Sequence, residues 1–153
     1  REICLFGCSD VNSLKKLAYK SPLKRARFCA HHSSDDLIHE MLITLHKDTY
    51  IQPHRHSFKS ESFQVLEGEA EVLIFTDNGK VKQRIMLSSY DQDGCFYYRL
   101  NECSYHTVIV KSEFFVFLET TNGPFNKASS EYASWAPTED ASKYKIKSYL
   151  KSL

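Results

Sequence analysis

The 153-residue chain is long enough to bury one core, and 42% hydrophobic with 13% aromatic residues is an ordinary globular balance. A formal net charge of +1 offers no long-range attraction to nucleic acid or an anionic membrane, and no run approaches the roughly 20 apolar residues that span a bilayer. Five cysteines, Cys4, Cys8, Cys29, Cys95 and Cys103, are odd in number and lack zinc-ribbon spacing, which favours a reduced, cytoplasmic setting over a disulfide scaffold.

The opening Arg1 to Phe6 is too short and too poorly flanked for a signal peptide, and the missing initiator Met leads us to expect a trimmed or incomplete N-terminus. Ser9 or Asp10 is expected to cap a short helix whose apolar positions Val11, Leu14, Leu17 and Ala18 follow helical spacing and stop before Ser21-Pro22. Strands are predicted over 27–31, 39–46, 49–56, 62–67, 69–76, 80–87, 94–100, 105–110 and 114–120, with Asp77-Asn78-Gly79 as a hairpin turn. The tail interleaves Lys143, Lys145, Lys147 and Lys151 with apolar residues. Its stripe of Ile146, Tyr149, Leu150 and Leu153 predicts a helix with a solvated lysine face, or else a dimer contact. The expected division is an N-terminal helical segment over 1–22, a barrel with its C-terminal extension over 23–139, and a lysine-rich tail over 140–153.

His54-Arg55-His56, followed by Glu61 and Gly68, carries the chemistry. Successive side chains of a strand point to opposite faces, so His54 and His56 share one face and can converge on one ion while Arg55 points away. The offsets suit a hairpin, with Glu61 presented from a neighbouring strand and Gly68 turning at its far end. His106, inside the β-prone run Tyr105 to Val110, is the expected fourth ligand. Three imidazoles with one carboxylate suit a divalent transition metal such as iron, manganese, nickel or zinc, and leave positions open for water or substrate. His31, His32, His39 and His46 share no spacing with this cluster and are expected to be surface or structural.

The segment from His54 to Glu61, with Gly68, resembles the first motif of the cupin superfamily at each defining position. Gly94 and His106 match two positions of the second motif, while Asn101 and Cys103 stand where Pro and Gly are usual and Val110 where Asn closes it. Within cupins the chain is similar to the WbuC family of bacterial O-antigen and surface-polysaccharide gene clusters, across residues 14–139. The similarity lies in Ser21 to Phe28, Tyr50 to His56, Asn122-Gly123-Pro124-Phe125 and Ala133-Ser134-Trp135-Ala136-Pro137. The resemblance implies an all-β double-stranded β-helix jelly roll holding one metal. Many short strands around a metal motif fit that architecture.

If His54 and His56 face inward, strand parity puts Gln52 and Tyr50 on the same face and turns Phe63 and Val65 with Glu61. Phe115, Phe117 and Glu119 share a face, and Glu119 also matches a WbuC carboxylate, which makes it the candidate general base. Arg25 and Arg27 are candidate bidentate ligands for a substrate phosphate or carboxylate. The expected activity is isomerisation or epimerisation of a sugar or related small carbonyl compound, with a nucleotide-linked sugar implied by the family association alone. An iron-dependent dioxygenase, a non-catalytic small-molecule binding module and a metal-independent epimerase are the competing readings, the last disfavoured by the complete first motif. A homodimer through the outer face of a sheet is expected, because Leu73 and Phe75 lie opposite Ala70, Val72 and Ile74 and need cover.

Overall fold

Alternating apolar and polar residues require two sheets that each hide one face, and this is how the chain folds. The computed structural model describes residues 3–153; Arg1 and Glu2, the start of the opening segment, lie outside the described residues. The elements are α1 (Cys8–Lys20), β1 (Arg25–Cys29), β2 (Ile38–His46), β3 (His54–His56), β4 (Glu61–Glu67), β5 (Glu69–Phe75), β6 (Val81–Ser88), β7 (Tyr97–Leu100), β8 (Tyr105–Val110), β9 (Phe114–Asn122), a 3-10 turn at Lys127–Ser129, β10 (Ser130–Tyr132) and α2 (Lys143–Ser152). All pairings between these strands are antiparallel. One sheet runs β1-β2-β9-β4-β7 and the other β10-β3-β8-β5-β6, a jelly roll with a helix at each end. Between the sheets lies a core of Leu45, Phe63, Val65, Ala70, Val72, Ile74, Leu87, Val108, Val110, Phe115 and Phe117, drawn from the alternate positions expected of each strand.

Helix α1 begins earlier than expected, with Gly7 at its N-cap. Asp10 does not cap it but sits in the first turn, where its Oδ2 accepts the Gly7 N–H at 2.8 Å, a favourable place for negative charge. Leu14 and Ala18 are fully buried, and Leu14 packs with Leu42 and Val116 outside the barrel. Strand β1 is displaced two residues toward the N-terminus relative to expectation. Strand β3 retains three of its eight expected residues, because 49–53 leave the ladder ahead of it. Strand β10 was not anticipated: three residues without apolar alternation carry no strand signal.

The motif is not a hairpin. β3 and β4 belong to different sheets, so residues 57–60 carry the chain across the barrel. The Gly68 turn is as expected, with φ 83°, and a Cβ there would lie 2.1 Å from the Phe114 carbonyl oxygen.

Leu73 and Phe75 do point outward, yet the chain covers them itself. Ala133, Trp135, Ala136, Tyr149 and Leu153 pack over them, and Trp135 Nε1–H donates to the Asp77 carbonyl at 3.0 Å. Tyr149 and Leu153 of the tail stripe meet the chain's own sheet, so Leu73 and Phe75 supply no reason for a dimer. Leu73→Ala should therefore cost about 2–5 kcal/mol by opening a cavity under this strap, read as a lowered urea midpoint.

Candidate metal centre

The register brings the histidines together. His54 lies directly opposite His106 across the β3–β8 pair, and His106 lies opposite Ile74, a core residue, so this row faces the interior. On its other edge β3 is flanked by β10, which sets Ser130 opposite His56 and Tyr132 opposite His54. Each imidazole is held from behind. His54 Nδ1 contacts the Gln52 carbonyl at 2.9 Å, His106 Nδ1 the Ser104 carbonyl at 2.9 Å, and His56 Nδ1 the Ser130 Oγ at 2.8 Å. A carbonyl only accepts, so in His54 and His106 Nδ1 carries a proton and Nε2 is the ring atom turned toward the shared point. One ligand atom from each histidine falls within 4.8 Å of those of the others.

Glu61 reaches two of the three imidazoles, His106 and His56, from the opposite sheet. Its Oε1 lies 2.8 Å from His106 Nε2 and its Oε2 3.5 Å from His56 Nε2. His106 Nε2 and Glu61 Oε1 are buried and neither makes an aligned hydrogen bond, so the short contact is one of charge and proximity. Two buried polar atoms side by side without aligned hydrogen bonds are a pair that a shared cation, displacing the His106 proton, would satisfy. Ligands bound at about 2.0–2.2 Å sit roughly 3 Å apart. Three imidazoles and a carboxylate thus fit a first-row divalent ion, with His54, His56, His106 and Glu61 as the set that would hold it.

In the metal-free chain the electrostatics divide the cluster, with His54 kept neutral while His106 and Glu61 hold each other in their charged forms. Burial, helped by neighbouring His106, pulls the His54 pKa down to about 4 and keeps it a neutral donor. Burial works to raise the Glu61 carboxyl, but the charge of His106 overcomes it and holds Glu61 well below the carboxylate range. Burial likewise opposes the charged form of His106, and Glu61 outweighs it, raising that pKa.

Glu119 faces the same space. Phe63 is the partner of Glu119 and Thr121 the partner of Glu61, so the two carboxylates share one inner face, one diagonal step apart. Burial first, and then the negative charge of Glu61, push Glu119 up to about 8. A cavity of about 490 Å³ lies here, with apolar walls from Ile43, Leu45, Phe63, Val108 and Phe117 around His54, His106, Glu61 and Glu119. A second cavity of about 420 Å³ shares Arg27, His54, Glu61, Glu119 and Tyr132 with it and continues past His56, Lys59, His31 and His39.

Other expected site residues are placed differently. Tyr50 donates its hydroxyl to the Pro137 carbonyl at 2.7 Å, and the Gln52 amide donates to the Ala133 carbonyl at 3.1 Å. Neither lines the two cavities, because parity holds only within a ladder and residues 49–53 are outside one. Arg25 borders the first cavity, but its guanidinium is clasped by both Glu139 oxygens at 2.9 and 2.8 Å. Arg27 borders both cavities. Sequence reasoning missed Ser130 and Tyr132, which had no local signal, while His31 and His39, expected as surface or structural residues, border the second cavity. The rings of the latter pair stack at 4.0 Å beside the second cavity. His39 shares parity with Met41, Ile43 and Leu45, so its inward aim was readable.

A family model described as a domain of unknown function, DUF6016, matches residues 7–87, more than half of the chain. The chain belongs to the DUF6016 family. No curated protein matches it. Among solved structures it is similar to a conserved protein with a double-stranded β-helix domain from Klebsiella pneumoniae, with 19% identity, a TM-score of 0.57, and coverage of 85% of this chain and 96% of that one. It is also similar to a DMSP lyase of Ruegeria pomeroyi, with 16% identity, a TM-score of 0.55, and coverage of 74% and 54%. A third is the oxalate decarboxylase of Bacillus subtilis, described with Mn(II) centres, with 17% identity, a TM-score of 0.50, and coverage of 63% and 24%. At such identities the likeness is one of fold, and the fold is that of the cupins.

Elemental analysis of protein grown with supplemented metals should find near one equivalent of iron, manganese, nickel or zinc in the wild type and little in a His54→Ala, His106→Ala variant. A second test reads Glu119 in metal-free protein. Below its ordinary value of 4.5 the carboxyl is protonated folded or unfolded, and from there to about 8 only the unfolded chain loses the proton. The Glu119 contribution to stability therefore falls as pH rises through that window. Glu119→Gln should gain urea resistance over wild type progressively from about pH 5 to 8.

Proposed function

We propose that this DUF6016 chain is a metal-dependent cupin of the WbuC type that isomerises or epimerises a small carbonyl compound, a sugar precursor of a surface polysaccharide. The observation that carries the reading is Glu119: a carboxyl outside the ligand cluster, on the same inner face as Glu61, whose pKa of about 8 leaves it able to exchange a proton near neutral pH. The sugar and the pathway rest on the resemblance at 14–139.

A divalent ion held by His54, His56, Glu61 and His106 would supply a Lewis acid for a substrate oxygen. The chain's own groups do the rest. Glu119 in its carboxylate form takes the proton from the carbon beside the carbonyl. The C–H electron pair moves into the adjacent carbon–carbon bond, and the carbonyl oxygen takes up the charge. Return of the same proton to the neighbouring carbon, with a hydroxyl proton passing between the two oxygens, completes an isomerisation without net loss of atoms or electrons. The apolar walls from Phe63, Val108 and Phe117 limit water around the proton in transit.

Screening sugar carbonyls and nucleotide sugars by proton exchange with deuterated solvent, with oxygen uptake followed alongside, tests this. Glu119→Gln should lower turnover by about 10²–10⁴-fold and leave metal content unchanged. Undiminished turnover in that variant would remove Glu119 from the chemistry. Stoichiometric oxygen uptake would replace the isomerase with an iron-dependent dioxygenase, and ligand binding without any turnover would leave a binding module.

A further inference from the structure

Arg27 stands apart from the other arginines among the described residues. Arg25, Arg55 and Arg84 are each tied to a carboxylate and Arg99 to a side-chain amide, whereas the Arg27 guanidinium makes neither a hydrogen bond nor an ion pair among the described residues. Arg27 is exposed, yet it stands at the mouth of the barrel rather than on its outer face. Arg27 lies opposite Ile43, which lies opposite Phe117, so it is on the inward face of β1, and it borders both cavities. A planar fork of donors without a partner, in a cavity wall, suits a two-oxygen acceptor.

A second cation shares the wall. Lys59 lines the continuation of the cavity from the connection between β3 and β4, with its ammonium 5.8 Å from the Phe125 ring centre, and it too has no carboxylate partner among the described residues. The preceding Phe58 is fully exposed with φ 59°, a left-handed conformation that a bulky residue adopts at a cost. Such a conformation in a short connection that also delivers Glu61 is the kind of strain that gathers at ligand sites. Both cations are near enough to bear on the Glu119 carboxyl, so the positive pole and the acid–base group face the same volume.

We propose that Arg27 and Lys59 form a receptor for an oxyanion group of the substrate, a carboxylate or a phosphate, and that the protein takes anionic carbonyl compounds in preference to neutral ones. The anion rests between Arg27 and Lys59, the reacting carbons lie beside Glu119, and the remainder extends along the apolar wall at Phe63 and Phe117. This names the substrate class of the function proposed above and rests on it for the word substrate. The anion site stands without it.

Calorimetric titration of inorganic phosphate and of acetate, at low ionic strength and into both metal-free and metal-loaded protein, tests the site directly. Saturable one-site binding is expected with or without metal. Arg27→Gln should weaken it about tenfold or more, the worth of one charge-assisted hydrogen bond. Arg27→Lys, which keeps the charge and loses the fork, should weaken it as well, and so should Lys59→Met from a different element, while Arg99→Gln should leave it unchanged. Tighter phosphate than acetate assigns a phosphate ester and the reverse a carboxylate. Equal affinity in Arg27→Gln, or binding that requires the metal, overturns the receptor. Intact anion binding with no turnover would instead count against the isomerase, so the two ideas fail separately.

Discussion

The Glu61 carboxylate, 6% exposed and held between two sheets against imidazoles, is the constraint from which the rest of this structure follows. An ionised carboxylate without partners in that position would cost several kcal/mol. The cost is tolerable only where His106 and His56 meet it, and that demands a fixed relation between β4 in one sheet and β3 and β8 in the other. A one-residue slip of β4 would turn Glu61 outward and Ser62 inward, leaving the imidazoles unopposed. The short crossing over 57–60 and the left-handed turn at Gly68 bracket β4 and hold its register.

The ligand cluster is stiff from behind and unsatisfied in front. Backbone carbonyls of Gln52 and Ser104 orient two rings and the Ser130 hydroxyl orients the third, so the inward nitrogens keep their aim without help from the ion. Buried polar atoms are usually paired, and the unpaired His106 Nε2 and Glu61 Oε1 are the exception that a cation would remove. Glu119 lies on the same face as Glu61 but outside that cluster.

The segment after β9 serves the site from outside. Through Ala133 and Pro137 it accepts hydrogen bonds from Gln52 and Tyr50, through Glu139 it neutralises Arg25, and through Ser130 it steadies His56. Tyr50, Gln52 and Arg25 therefore secure a strap, which then closes over Leu73 and Phe75 with Trp135, Tyr149 and Leu153. Arg27, two residues from Arg25 on the same strand face, is left open because the strap does not engage it.

Much of this was legible because it depends on periods of two and on local chemistry. Most of the strands, the Gly68 turn, the shared face of His54 and His56, and the inward row of Phe115, Phe117 and Glu119 follow from alternation within continuous ladders. Alternation fails where a ladder stops, which is why Tyr50 and Gln52 point elsewhere than parity placed them. It also has nothing to say of a three-residue strand such as β10. By itself the sequence determined an all-β barrel with a histidine pair, a carboxylate and a distant histidine on inward faces. Only the tertiary structure decided that Glu61 arrives from the opposite sheet, that Arg25 is occupied while Arg27 is not, and that the tail covers its own sheet. Those outcomes depend on which segments far apart in the chain meet in space, and no local pattern of residues encodes the partner of a contact made across the barrel.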